Sequence, residues 1–396
     1  AGIGWRPESP LAWDLDVLLQ RFLGPLAPPD LDPLSLTDDE AELIGAMFWN
    51  AQAGLLPPGY LHVLLHLATA LGLANESDDG KTRYERTGRI REWRLGPWSM
   101  QAGRLRSAWM GATTWIEGHP STGIEPWQVD WQGYRVKLMH HLSSLEPDRV
   151  YRLSDLVTWI AEFDPELIGS RASVAVLHPS RIETDLTGPD GLRALLRHTM
   201  ETMLSWLGLV DFVPIGADEA GVRINAELRR VTRAQGGPDR GDTGTASVTV
   251  HSDLSIDLTD PTAIQVWSAL AFADPISLGE TSRFQMTSES IRGAQLAGFR
   301  TEQITQFLER QADGKVPDGL GMLIEARASE SQGIDLSANV MITASSEDGA
   351  EAIANVLTGE NYVVRQTGNV VQVAIGIQRS VVADVQRVTN ILDLAN

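Results

Sequence analysis

Apolar and polar residues alternate from Val248 to Leu258 (Val248, Val250, Leu254, Ile256, Leu258), the period-two pattern of a half-buried strand. A helix ending near Ala273 and a short strand over Arg283–Met286 follow, and then two helices. Thr287 or Ser288 is placed to cap the first helix and Gly298 to close it. Thr301 opens the second, which carries Ile304, Phe307 and Leu308 on one face, and Pro317 stops it. Beyond residue 330, strands are expected over Asn339–Ala344, Tyr362–Arg365 and Val370–Ile375, with helices over Asp348–Leu357 and Val381–Leu394.

Upstream, residues 1–35 are Pro-rich and acidic with one short amphipathic piece around Trp13, Leu15 and Val17, which predicts an arm or strap. Thr37-Asp38-Asp39-Glu40 reads as a helix start, with acids at the positive end of the dipole, and Pro57-Pro58-Gly59 ends that helix. Tyr60–Leu73 is a second helix, followed by Leu71-Gly72-Leu73-Ala74, a polar turn (Asn75–Gly80) and the basic, strand-like run RYERTGRIREWRLG. The same order returns 136 residues later: a helix over Leu192–Leu207, Leu207-Gly208-Leu209-Val210, and two strands flanking the turn Gly216–Gly221. Tyr134–Leu145 and Leu153–Phe163, the latter with Ser154 as its cap, supply two further helices ahead of this second copy. Residues 234–246 are Gly-rich and polar, which marks a linker.

Helix, Leu-Gly-Leu and hairpin together resemble the end of a winged helix, so residues 37–110 and 111–233 are expected to be tandem winged-helix modules, the second with an insertion near 165–190. From residue 247 onward the chain resembles the helicase-associated domain of XPB-type DNA helicases. The features that carry this are Asp253-Leu254, the strand into Arg283-Phe284 with Thr287 and Ser290, Gly298, and the Ile304–Phe307–Leu308 stripe before Val316-Pro317. The expected fold class is thus α+β and multi-domain. Its parts are an arm (1–36), tandem winged helices, a linker (234–246) and an α/β helicase-associated, XPB N-terminal-like domain (247–396). The layout also resembles the winged-helix subunit of a transcription and DNA-repair factor that clasps the XPB helicase.

Composition narrows the options. There is no cysteine, which excludes disulfides, thiolate metal sites and a cysteine nucleophile. No run of apolar residues is long enough for a membrane span, and AGIGWRPESP lacks the layout of a signal peptide, so a cytoplasmic protein is expected. The net charge of −20 repels phosphate overall, but residues 81–110 carry 8 basic and 2 acidic groups. That island holds Lys81, Arg83, Arg86, Arg89, Arg91, Arg94, Arg104 and Arg106, interleaved with Trp93, Trp98 and Trp109. It reads either as a basic wing lying on phosphates, with tryptophan against sugar or base, or as arginines paired with the acidic segment 1–80 and stacked on their own tryptophans. A weaker patch comprises Arg223, Arg229, Arg230 and Arg233.

Catalytic patterns fail on context. Gly80-Lys81-Thr82 has Asn75 where a phosphate-binding loop needs its first glycine. Asp242-Thr243-Gly244 follows a glycine inside the linker rather than a hydrophobic strand. His62 and His66 stand at i, i+4, a zinc-compatible spacing, but Val63 replaces the metalloprotease glutamate and no third ligand is evident. The expectation is a non-catalytic, DNA-linked scaffold without cofactor, metal or small-molecule substrate, whose partners are a helicase or translocase and DNA. The alternative is a winged-helix transcriptional regulator that dimerises through its C-terminal domain.

Overall fold

The computed structural model describes residues 9–23, 45–51, 56–76, 84–119, 122–147, 149–176, 189–216, 219–225, 228, 246–330, 338–344, 346–359, 363–368 and 370–375. Helices and small antiparallel sheets mix throughout, an α+β architecture with two compact units, residues 1–325 and 326–396.

The first unit is built around its N-terminal helix α1 (Pro10–Val17), which continues as a π-helical turn over Leu18–Phe22. Ser9 accepts the Ala12 N–H, and Pro10 occupies the first turn, where its missing donor costs nothing. Every residue of α1 is buried. The segment expected to be an arm therefore contains a core helix. Its Pro and Asp content suggested exposure, but Asp14 accepts from Tyr60, Asn50 and Trp49, and Asp16 accepts from Trp93. Trp13 stacks on Trp98 at 6.2 Å and also meets Trp49 and Phe284.

Helix α2 (Tyr60–Ala70) ends at Leu71-Gly72-Leu73, with Gly72 at φ +66°. Leu73 N–H bonds the Ala68 carbonyl, the capping pattern that a left-handed glycine permits. Strands β1 (Ala74–Glu76) and β2 (Tyr84–Arg86) form a hairpin, closed where Thr87 N–H reaches the Leu73 carbonyl and Thr87 Oγ1 the Gly72 carbonyl. The basic run departs from its expected strand after Arg86. It turns and forms the short helix α3 (Ile90–Arg94), because Ile90 and Trp93 bury on one side. Helix α4 (Trp98–Gly111) follows.

The second copy repeats this hydrogen-bond scheme. Strand β3 (Ile124–Trp127) pairs with β5 (Ser173–Val176). Between them lie α5 (Trp131–Ser144), β4 (Val150–Arg152) and α6 (Leu153–Phe163). Helix α7 (Pro189–Thr199) continues as a π-helical turn over Met200–Leu204 and is followed by Leu207-Gly208-Leu209, with Gly208 at φ +73°. Leu209 N–H bonds the Leu204 carbonyl, Asn225 N–H the Leu209 carbonyl and Asn225 Nδ2 the Gly208 carbonyl. Strands β6 (Val210–Pro214) and β7 (Ala220–Ile224) join β4 in the sheet order β4-β7-β6. Ser154 does not cap α6. Arg152 stands at the cap position, and Ser154 Oγ donates to Glu219 instead.

Residues 247–258, expected as one strand, are two. Strands β8 (Ser247–Val250) and β9 (Ser255–Thr259) form a hairpin whose turn places Leu254 at φ +66°. Inward-facing residues stay in phase across the turn, so the alternation reads through it. Helix α8 (Ala263–Leu270) leads to β10 (Asp274–Ser277) and β11 (Thr281–Gln285), completing the antiparallel order β10-β11-β9-β8. Helix α9 (Ser288–Leu296) is capped by Thr287, whose Oγ1 accepts the Ser290 N–H, and Gly298 at φ +92° ends it. Helix α10 (Thr301–Gln311) follows, and α11 (Leu320–Glu330), absent from the expectation, spans the unit boundary.

In the second unit, β12 (Ala338–Thr343), α12 (Glu347–Gly359), β13 (Val363–Thr367) and β14 (Val370–Ile375) give an antiparallel sheet of order β12-β14-β13. The expected terminal helix over 381–394, the helix start at 37–40 and the linker at 234–245 lie outside the described residues. Among the described residues no helix is long and apolar enough to cross a membrane.

Candidate functional site

A cleft of about 670 Å³ opens in the first unit between the basic α3 segment and the helices α8 and α10. One wall is Arg86, Thr87, Gly88, Ile90, Arg91 and Arg94, and Gln20 joins it from the end of the N-terminal helix. The facing wall is apolar, with Ile264, Trp267, Phe272, Phe299, Ile304 and Phe307 at its centre. The volume falls in the range of small-ligand sites, about 300–1,000 Å³.

Each arginine is positioned by its element. Arg86 ends β2 and is half-buried, and its Nη1 donates to Gln20 Oε1 at 2.7 Å, while Gln20 Nε2 donates to the Trp267 carbonyl at 3.4 Å. Burial, and then the like charge of Arg94, hold the Arg86 guanidinium below its ordinary value. Arg91 and Arg94 stand exposed on α3, and neither has an ion-pair partner among the described residues. Among the described residues no aspartate or glutamate lines the cleft, in a protein whose net charge is −20. A positive, half-enclosed mouth over an aromatic floor is thus the cleft's electrostatic signature, and enclosure by low-dielectric walls strengthens it.

The other wall comes from the apolar faces of α8 and α10. Trp267 and Phe272 are nearly fully buried, and Phe272 meets Phe307 edge-on at 6.0 Å. Ile264 and Phe299 are 38% and 39% exposed, leaving apolar surface at the mouth. The polar lining groups are largely committed to the protein itself: Thr87 Oγ1 to the Gly72 carbonyl, Ser268 Oγ to the Ile264 carbonyl, and Gln20 as above. The described lining thus offers cations and rings to a ligand.

Of the island's residues, the structure brings Arg86, Arg91 and Arg94 together at the cleft and sets Arg89 exposed on the turn beside them. Arg104 is half-buried on α4, and Arg106 is buried there. Trp93 is fully buried, and its indole N–H donates to Asp16 Oδ1 at 2.6 Å. It presents no face to a base, because α3 turns its apolar side inward. Trp98 and Trp109 are buried as well. Arg223 donates to Asp211 at 2.8 Å. Lys81, Arg83, Arg229, Arg230 and Arg233 lie outside the described residues.

The charged groups away from the cleft are structural. Arg135 and Glu117 form a fully buried pair at 3.2 Å, with the guanidinium between the Trp109 and Trp131 rings at 5.4 and 5.6 Å. Further donation to the Ala112 and Thr114 carbonyls ties α5 to the loop after α4. His66 is held below its ordinary value by burial and then by His62. Among the described residues no group of three or more His, Asp or Glu could hold a metal ion.

The aromatic wall was not legible as part of a site, because it lies some 170–220 residues downstream of the arginines. A faint signal existed in Phe307, which stood in the stripe taken as core but is only half-buried.

The model of a family described as the helicase conserved C-terminal domain matches residues 248–366. No curated protein matches the chain. The stretch from β8 into β13, which includes the aromatic wall of the cleft, is therefore similar to the helicase conserved C-terminal domain, and this similarity supports a helicase-associated domain there.

Proposed function

We propose that this chain is a non-catalytic accessory protein that binds a helicase or translocase and meets DNA phosphates with the arginines around α3. The observation that carries this reading is the match of residues 248–366 to the helicase conserved C-terminal domain. The finer assignment, to the kind of domain appended to XPB-type helicases, rests on the ordered elements and caps from β8 to α10. The arginines and aromatic rings that line the cleft are groups suited to binding a ligand.

The middle of the chain supports a winged-helix reading. Apart from β5, which pairs with β3 in a separate sheet, residues 131–224 run helix, strand, two helices and a hairpin, with the first strand beside the hairpin. The matching hydrogen bonds at Leu73–Thr87 and Leu209–Asn225 support a related, shorter module upstream. In such a module α7 would enter a DNA groove. Its Arg193, however, is engaged by Asp190 and Glu162, and Arg197 by Glu201. That pairing favours a protein-docking role for α7 over operator reading, and so favours the accessory protein over the transcriptional regulator.

The test is capture of the cell's helicases on the full chain, together with DNA binding as a function of salt. Recovery of a helicase, and a salt slope that falls when Arg89, Arg91 and Arg94 become Ala, are expected. No helicase partner and no salt-dependent binding would overturn the reading.

A further inference from the structure

The cleft is richer than a phosphate-binding surface requires. Phosphates on a duplex need only exposed cations, and Arg89, Arg91 and Arg94 would serve without a cavity beneath them. Here the cations overhang an aromatic floor, and the two walls come from segments far apart in sequence. The ligand that fits has an anionic group and a flat apolar body.

We propose that the cleft holds one nucleotide unit of a single-stranded nucleic acid, its phosphate on Arg86, Arg91 and Arg94 and its base against Phe299 and the Phe307–Phe272 side. This deepens the DNA-linked reading above and rests on it. Two observations select the occupant. First, the described lining contains three arginines and, among the described residues, no acid, and the guanidinium fork matches phosphate oxygens in pairs. Second, Gln20, Thr87 and Ser268 already bond within the protein, which leaves few groups to satisfy a peptide's main-chain N–H and C=O. A nucleotide makes smaller demands, because cations and rings recognise phosphate and base without hydrogen-bond readout.

The mouth explains why the unit belongs to a strand rather than to a free nucleotide. Arg86 is half-buried whereas Arg91 and Arg94 stand exposed at the mouth, so cations continue outward from the cavity for a neighbouring phosphate. A stacked base inside a duplex could not reach Phe299, whereas an unpaired base can turn into the cleft.

The experiment is fluorescence anisotropy of the full chain with labelled dodecathymidylate, the duplex of the same length, and thymidine monophosphate, inorganic phosphate and a Glu/Phe-rich peptide as competitors. Single strand is expected to bind more tightly than duplex, and neither small competitor nor the peptide is expected to displace it at equal concentration. Phe299→Ala should weaken single-strand binding by about 5- to 160-fold, the worth of one stacked base, and leave the salt slope unchanged. Phe299→Tyr keeps a ring and should restore affinity. Arg91→Ala with Arg94→Ala should lower the salt slope by about 1.4, two phosphate contacts at about 0.7 each. Both sites are exposed, and an unchanged thermal melt confirms the fold.

Full single-strand affinity in Phe299→Ala would overturn the proposal, as would duplex binding at least as tight as single strand. Displacement by the peptide would reassign the cleft to an acidic protein segment, and displacement by thymidine monophosphate would reassign it to a free nucleotide. Each of these outcomes leaves helicase capture untouched, so failure here is distinct from failure of the accessory-protein reading.

Discussion

Tyr60→Phe removes a single hydroxyl from the middle of the first unit and is expected to cost more stability at pH 8 than at pH 5. The hydroxyl donates to Asp14 Oδ2 at 2.5 Å and accepts from Asn50 Nδ2 at 2.8 Å. Asp14 also accepts from the main-chain N–H groups of Trp49 and Asn50. Burial pushes its carboxyl up to about 6, against the hydrogen bonds from Tyr60, Trp49 and Asn50, which hold it down. A folded-state value above the ordinary 3.8 means that the folded chain binds this proton more tightly than the unfolded one. Stability from this group is therefore fullest below about pH 4 and falls as pH rises through 6, by about 3 kcal/mol at 1.36 kcal/mol per pH unit. Tyr60→Phe withdraws the strongest donor to the charged form. At pH 8 it should cost about 1.5–3 kcal/mol, the worth of a bond to a charged group, and at pH 5 about 0.5–1.5 kcal/mol, the worth of a neutral one. For a unit of 325 residues this corresponds to a fall in Tm of about 2–4 °C at pH 8 and about 1–2 °C at pH 5. Calorimetry of both proteins at the two pH values is the assay. Equal losses at both, or a larger loss at pH 5, would refute the assignment of a charged Asp14 to the folded state above pH 6.

Two further tests address the other charged clusters. Glu117→Ala leaves Arg135 buried without its anion and should cost about 3–5 kcal/mol, whereas Glu117→Gln with Arg135→Met should be far less damaging than two such losses added together; a double variant as unstable as the sum would refute a coupled pair. Arg283, bonded to Asp257 at 2.6 and 2.8 Å, holds that carboxyl down to about 2, so its stabilisation is present above about pH 4 and is lost as pH falls toward 2. Arg283→Ala should return Asp257 toward the ordinary carboxylate range in an NMR titration, and an unmoved midpoint would contradict the geometry.

Local chemistry made much of the architecture legible. Leu153–Phe163 forms the helix read from its periodicity, and Thr287 and Gly298 cap and close α9 as their side chains dictate. The two Leu-Gly-Leu helix ends were visible because only a left-handed glycine closes a helix into a hairpin in this way. What escaped was set by distant partners. Asp14 and Asp16 look like surface residues until Tyr60, Asn50 and Trp93 supply their hydrogen bonds. Leu254 gives no sign of its φ of +66°, since the turn it makes preserves the apolar phase on either side. The site divides the same way. Its arginines stand out as a local excess of charge, whereas its aromatic floor belongs to helices whose apolar residues look like ordinary core.

The wholly enclosed helix at Pro10–Phe22 sets a schedule for synthesis. Gln20 bonds the Trp267 carbonyl, Arg21 pairs with Asp274, and Trp13 meets Phe284, so its final neighbours lie about 250–270 positions further along the message. At about 5–20 residues per second, a ribosome takes roughly 13–50 s to make them. Asn50, Tyr60, Trp93 and Trp98 are made early enough to hold one side of the helix, but the side that meets Trp267, Asp274 and Phe284 stays uncovered throughout that interval, and chaperones that cover nascent apolar segments would shelter it until the helicase-like portion emerges.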